Sequence, residues 1–149
     1  MSYEIEDIED GILAALRAYA QMPAEVRTID SYQGNIEDLI KDLQSGVLPS
    51  NLDLSAILVC YAGSNFKEDA NRSYTDEQYY AIACISENLR GKADVKAGMY
   101  QILSAVKKSL IDNNLGLDIE PLKPVDIDLK LALSNVSIFN VVFKTSYSI

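Results

Sequence analysis

Hydrophobic and polar positions alternate along the chain with two different periods, and the longest run that does neither is Ser55–Gly63 (SAILVCYAG). It carries no charge. Its length and its Ile57, Val59 and Tyr61 predict a strand buried on both faces rather than a short helix. A second uncharged run, Tyr79–Ser86 (YYAIACIS), follows a long polar connection. The two are expected as neighbouring central strands of one sheet.

Helical spacing appears three times. Ile5, Ile8, Ile12, Leu16 and Tyr19 mark a first helix, supported by Ala14, Ala15 and Ala18. Glu4, Glu6, Asp7, Glu9 and Asp10 crowd its start, where the positive end of the helix dipole favours them. Such a cluster could bind a cation or a basic partner, but a solvated charge run is the simpler expectation. Pro23 follows the helix and Glu25–Asp30 reads as a short strand near an edge. Ile36, Leu39, Ile40 and Leu43 mark a second helix, Ile36–Gln44, with Asn35 as N-cap and Gly46 as its end. Gly46–Asp53 is expected as a loop. Val95, Met99, Ile102, Leu103, Val106 and Leu110 mark the third helix, after a loop at Glu87–Asp94. Asp112–Gly116 should end it.

Pro121 and Pro124 make Leu117–Pro124 an extended linker. Val125–Leu133 then alternates: Val125, Ile127, Leu129, Leu131 and Leu133 are expected to face inward, Asp126, Asp128 and Lys130 outward. Ser134–Asn135 is the expected turn into a final strand, Val136–Tyr147. The order implies a single domain spanning residues 1–149. Its class is α+β, a mainly antiparallel sheet with helices packed on one face.

The polar connection, Ser64–Glu77 (SNFKEDANRSYTDE), is the longest between strong elements and is expected to protrude as an arm or hairpin. Its Phe66, Lys67, Arg72 and Tyr74 interleave aromatic and basic residues, a pattern that can hold single-stranded nucleic acid. The acidic neighbours Glu68, Asp69, Asp76 and Glu77 spoil that electrostatic funnel, which leaves a subunit contact.

The totals narrow the function. The 149 residues are 48% hydrophobic and 23% charged, which suits one folded domain. The net charge of −9 argues against general gripping of phosphate backbones. No run approaches the ~20 apolar residues of a membrane helix, and the acidic N-terminus is unlike a secretory signal. A cytoplasmic location is therefore expected, with Cys60 and Cys84 as free thiols. The chain has no histidine, which excludes His-dependent triads and His metal sites. No phosphate-binding glycine motif occurs and no paired CxxC, so no cofactor or metal is expected. Asp126 and Asp128 could hold a hard cation or act as an acid–base pair. With Lys130 on the same wet face, a surface charge row is the simpler expectation. No catalytic residue is assigned and no enzyme is expected.

Several local patterns carry a resemblance: the strand leading into ENLRG (Glu87–Gly91), then GMYQILSAVKKSL (Gly98–Leu110), LGLDIEPLKP (Leu115–Pro124) and VVFKTSY (Val141–Tyr147). With the element order, they resemble the Mu-like prophage family of small tail proteins, of the tail terminator or tail-completion type. Arg90, Gly91, Gly98, Tyr100 and Pro121 are its most specific points. The resemblance implies a phage tail structural protein that assembles as a ring, a hexamer, capping the tail tube. Its partners would be further copies of itself, the tail tube protein and a head-completion protein. DNA would pass through the lumen without specific binding. Subunit-interface candidates are Phe66, Lys67, Arg72, Tyr74 and Arg90. The protein would assemble in the bacterial host cytoplasm and end in the virion tail. Two other classes compete: a small cytoplasmic adaptor or immunity-type binding module, and a hydrolase built on Asp126 and Asp128.

Overall fold

The computed structural model describes residues 4–32, 34, 36–46, 52–68, 70, 72–88, 91–133 and 135–149. Arg90, the Asn35 cap, Ser134 and most of the Gly46–Asp53 loop lie outside them.

The elements are α1 (Ile5–Ala18), β1 (Thr28–Ser31), α2 (Ile36–Gln44), β2 (Ala56–Glu68), β3 (Tyr74–Glu87), α3 (Lys92–Leu110), β4 (Lys123–Ala132) and β5 (Val136–Ser148). They form one five-stranded sheet in the order β1-β2-β3-β5-β4. Every pairing is antiparallel except β1 with β2. The α+β class with a mainly antiparallel sheet is what the sequence pattern implied, and the two uncharged runs are adjacent central strands.

The alternation of side chains along the strands divides the core into two layers. Ile57 and Val59 on β2, Tyr80, Ile82 and Cys84 on β3, and Val141 and Phe143 on β5 share one face. There they pack on Ile8, Ile12 and Leu16 of α1 and on Met99, Ile102, Val106 and Leu110 of α3. The intervening Ala56, Leu58, Ala83, Ile85 and Ile138 meet Leu39 of α2 on the other face. The expected helical cover on one face therefore holds for α1 and α3, while α2 sits opposite. The physical reason is in the strands themselves: they are apolar on both faces, so both must be covered.

Local chemistry fixes the ends. The Glu4 and Asp7 side chains bond each other's backbone in a capping box at the start of α1. Gly91, with φ of 117°, precedes α3, which begins three residues earlier than its apolar stripe. Gly98 lets α3 pass close to the sheet. A Cβ there would stand 2.9 Å from Glu25 Oε1 and 3.1 Å from Ser86 Oγ. The expected linker before β4 is packed rather than free: Ile119 and Leu122 are buried. Backbone bonds tie Asp112 and Asn113 to Leu122, and Glu120 to Ser146.

Candidate assembly interface

The polar stretch at 64–77 is not a separate loop. It forms the outer rungs of β2 and β3, paired from Ser64↔Gln78 to Glu68↔Tyr74. Strand β5 accompanies β3 outward, from Gln78↔Thr145 to Thr75↔Ser148. The register breaks between Tyr61 and Gly63, where Gly63 takes φ of 115°. That bulge realigns the outer rungs, a common device where a strand must re-aim its side chains.

Below the tip, the face shared with α1 carries a buried polar ladder. Tyr80 donates its hydroxyl to Gln78 Oε1 at 2.6 Å, and Gln78 Nε2 donates to Asp76 Oδ2 at 2.8 Å and to Tyr147 Oη at 3.3 Å. Gln78 and Tyr80 are completely buried. The Tyr61 hydroxyl bonds Ser64 at the bulge, and its ring tilts against Tyr80 at 5.6 Å. These bonds fasten the arm to the body, although Asp76 Oδ1 at the outer end of the ladder is buried without a hydrogen-bond partner among the described residues.

At the tip the same face turns apolar. Phe66 pairs opposite Asp76, and Ile149 donates its backbone N–H to the Tyr74 carbonyl. The register places Tyr74 and Ile149 in one rung with Glu68, and Phe66 one rung inward on the same face, diagonal to Tyr74. Phe66, Tyr74 and Ile149 are 64%, 48% and 61% exposed. Lys67 lies on the opposite face, in an ion pair with Glu77 at 3.2 Å. Glu77 also accepts the Tyr79 hydroxyl at 2.6 Å, and these bonds, Tyr79 first, hold its carboxyl below the usual range. Arg72 occupies the turn with φ of 61°. Of the sequence-stretch candidates, then, Phe66 and Tyr74 come together, whereas Lys67 and Arg72 do not join them.

A second exposed surface was not expected. In β4 the residues Val125, Ile127 and Leu129 are 49%, 40% and 51% exposed, and Leu133 just beyond is also open. Only Leu131 is buried in this strand. The alternation itself is real: Ile127 opposes Val141 and Leu129 opposes Phe139, on the α1/α3 face. The expectation that this row points into a core fails because α3 stands over β3 and β5, leaving edge strand β4 uncovered. A register shift between Leu129 and Leu131 then turns Leu131 to the α2 face. Between α3 and β4 runs an apolar groove of about 280 Å³, lined by Val95, Met99, Tyr100, Leu129, Leu133 and Phe139 among others. Lys96 lies at its rim, 5.7 Å from the Tyr100 ring. Ser137 Oγ, in the groove, is buried without a hydrogen-bond partner among the described residues.

The wet face of β4 behaves as a charge row. Lys130 Nζ meets Asp128 Oδ2 at 2.8 Å, and that bond raises the lysine's pKa. Among the described residues no group of three His, Cys, Asp or Glu is placed to hold a metal ion. No described helix is long and apolar enough to cross a membrane. Cys60 and Cys84 are free thiols, and burial pushes them up to about 11 and about 12.

No curated protein matches the chain by sequence. Among solved structures, it is similar to a chain of the virion of a native gene transfer agent particle, with 17% identity and a TM-score of 0.64. That likeness covers 99% of this chain and 100% of the other, so the two share the fold over their whole lengths. The family model described as Bacteriophage Mu, Gp37 matches residues 4–148. With all but the ends matched, the chain belongs to the Bacteriophage Mu Gp37 family.

Proposed function

We propose that this phage structural protein is a tail terminator, a ring of copies that caps the tail tube and joins tail to head. The whole-length family match carries the proposal. The full-length fold likeness to a component of a gene transfer agent particle supports it, because that particle too is a virion. A closing ring requires two different contact faces on each copy. The apolar arm tip and the α3–β4 groove supply a pair. A net charge of −9 suits a channel through which DNA slides, since fixed negative charge repels phosphate. The arm at 64–77 is then an assembly device of a single-domain subunit. Its partners are other copies, the tube protein and a head-completion protein, and its destination is the virion tail.

Deleting the gene from an inducible prophage tests this role. Tails should grow to irregular excess length and remain unjoined to heads. Tails of normal length joined to heads would overturn it.

A further inference from the structure

We propose that the apolar arm tip of one copy, formed by Phe66, Tyr74 and Ile149, seats in the groove between α3 and β4 of a second copy. The inference rests on the self-assembly proposed above and names its contact.

The two surfaces match in chemistry. Each is apolar: Phe66, Tyr74 and Ile149 are exposed at the tip, and Tyr100, Leu129 and Leu133 are exposed along the groove. The register sets Glu68 on the Phe66 face of the tip, and Lys96 stands at the rim of the groove.

They also cannot meet within one molecule. The groove lies at the level of Cys84↔Phe139, the tip at Asp76↔Tyr147 and beyond. Eight residues of strand separate these levels, about 26 Å at ~3.3 Å per residue. Within the sheet the tip spans β2, β3 and β5, while the groove lies against edge strand β4. A contact from tip to groove is therefore heterologous, and it leaves each pair with one free tip and one free groove. Such contacts continue until the chain of copies closes. Each aromatic buries roughly 150–250 Å², so one seating falls short of the ~1,200 Å² typical of a stable pair. Isolated dimers should be scarce and closed rings favoured, because closure gives every copy two contacts.

Disulfide trapping tests the contact, in a Cys60→Ala background that leaves only buried Cys84. Oxidised Phe66→Cys/Leu129→Cys protein should give a ladder of covalent oligomers, and a mixture of the two single variants should stop at dimers. Phe66→Asp and Leu129→Asp, both at exposed positions, should keep the parent melting midpoint. Each should weaken self-association in ultracentrifugation by at least tenfold. Rings that form without any 66–129 trapping would overturn this contact and leave the terminator role standing. Trapping between Asn65→Cys and Asp126→Cys instead would overturn it in favour of direct pairing of edge strands. A protein that neither self-associates nor caps tubes would remove both.

Discussion

Replacing Tyr80 with phenylalanine removes one oxygen from the ladder that anchors the arm. The ring stays, and with it the tilted contact to Tyr61 at 5.6 Å. What goes is the 2.6 Å bond to Gln78 Oε1, together with a longer approach, 3.4 Å, to the Ile5 carbonyl at the start of α1. Gln78 is completely buried, so its carbonyl oxygen has no water to turn to. Leaving such a group unpaired costs about 1–3 kcal/mol. For a chain of this size each kcal/mol lowers the melting midpoint by roughly 2–4 °C, which gives a fall of about 2–12 °C. Urea unfolding should report the same loss with an unchanged slope, since little surface exposure changes. Gln78→Leu should cost less in the Tyr80→Phe background than alone, because the two side chains share a bond. Tyr79→Phe is the control: its hydroxyl bonds Glu77 on the opposite, wetter face, and its midpoint should not move. A Tyr80→Phe protein as stable as the parent would refute the ladder as an anchor.

Gly63→Ala should destabilise by about 1–3 kcal/mol, because φ of 115° is strained for any residue with a Cβ, and urea unfolding reads it. At pH 8 a thiol reagent should modify half-buried Cys60 slowly and Cys84 only on unfolding. Burial raises Cys84 from 9.0 to about 12, so the folded state prefers the neutral thiol. Stability from this source is complete below pH 9 and lost as pH rises from there towards 12, which melting curves across that range should show. Ile127→Lys should leave the melting midpoint nearly unchanged while suppressing self-association, because a charge on an uncovered edge strand blocks contacts without disturbing a core.

The strand and helix pattern was legible where burial was complete. The uncharged runs around Ile57 and Ile82 became strands that each extend five residues past the expected bound into the polar stretch, and the stripe from Val95 to Leu110 became a helix that starts three residues earlier. Two things depended on counting layers rather than reading segments. Leu58, Ala83 and Ile85 alternate with residues of the α1/α3 face, so a second cover was required, and α2 provides it through Leu39. The apolar row of β4 reads as inward from alternation alone. Only the strand order, with β4 outermost and α3 short of it, shows that Ile127 and Leu129 stay open. The arm's aromatics were visible in sequence, but their union with Ile149 arises from the register of β5 beside β3 and no local pattern carries it.

In the proposed role, copies of this chain close into a ring on the end of a tail tube. Electron microscopy of the purified protein mixed with tail tubes tests it most directly. Rings seated on one end of each tube, with further tube growth stopped, are the predicted result. Bare tube ends at saturating protein, with tubes still elongating, would contradict it.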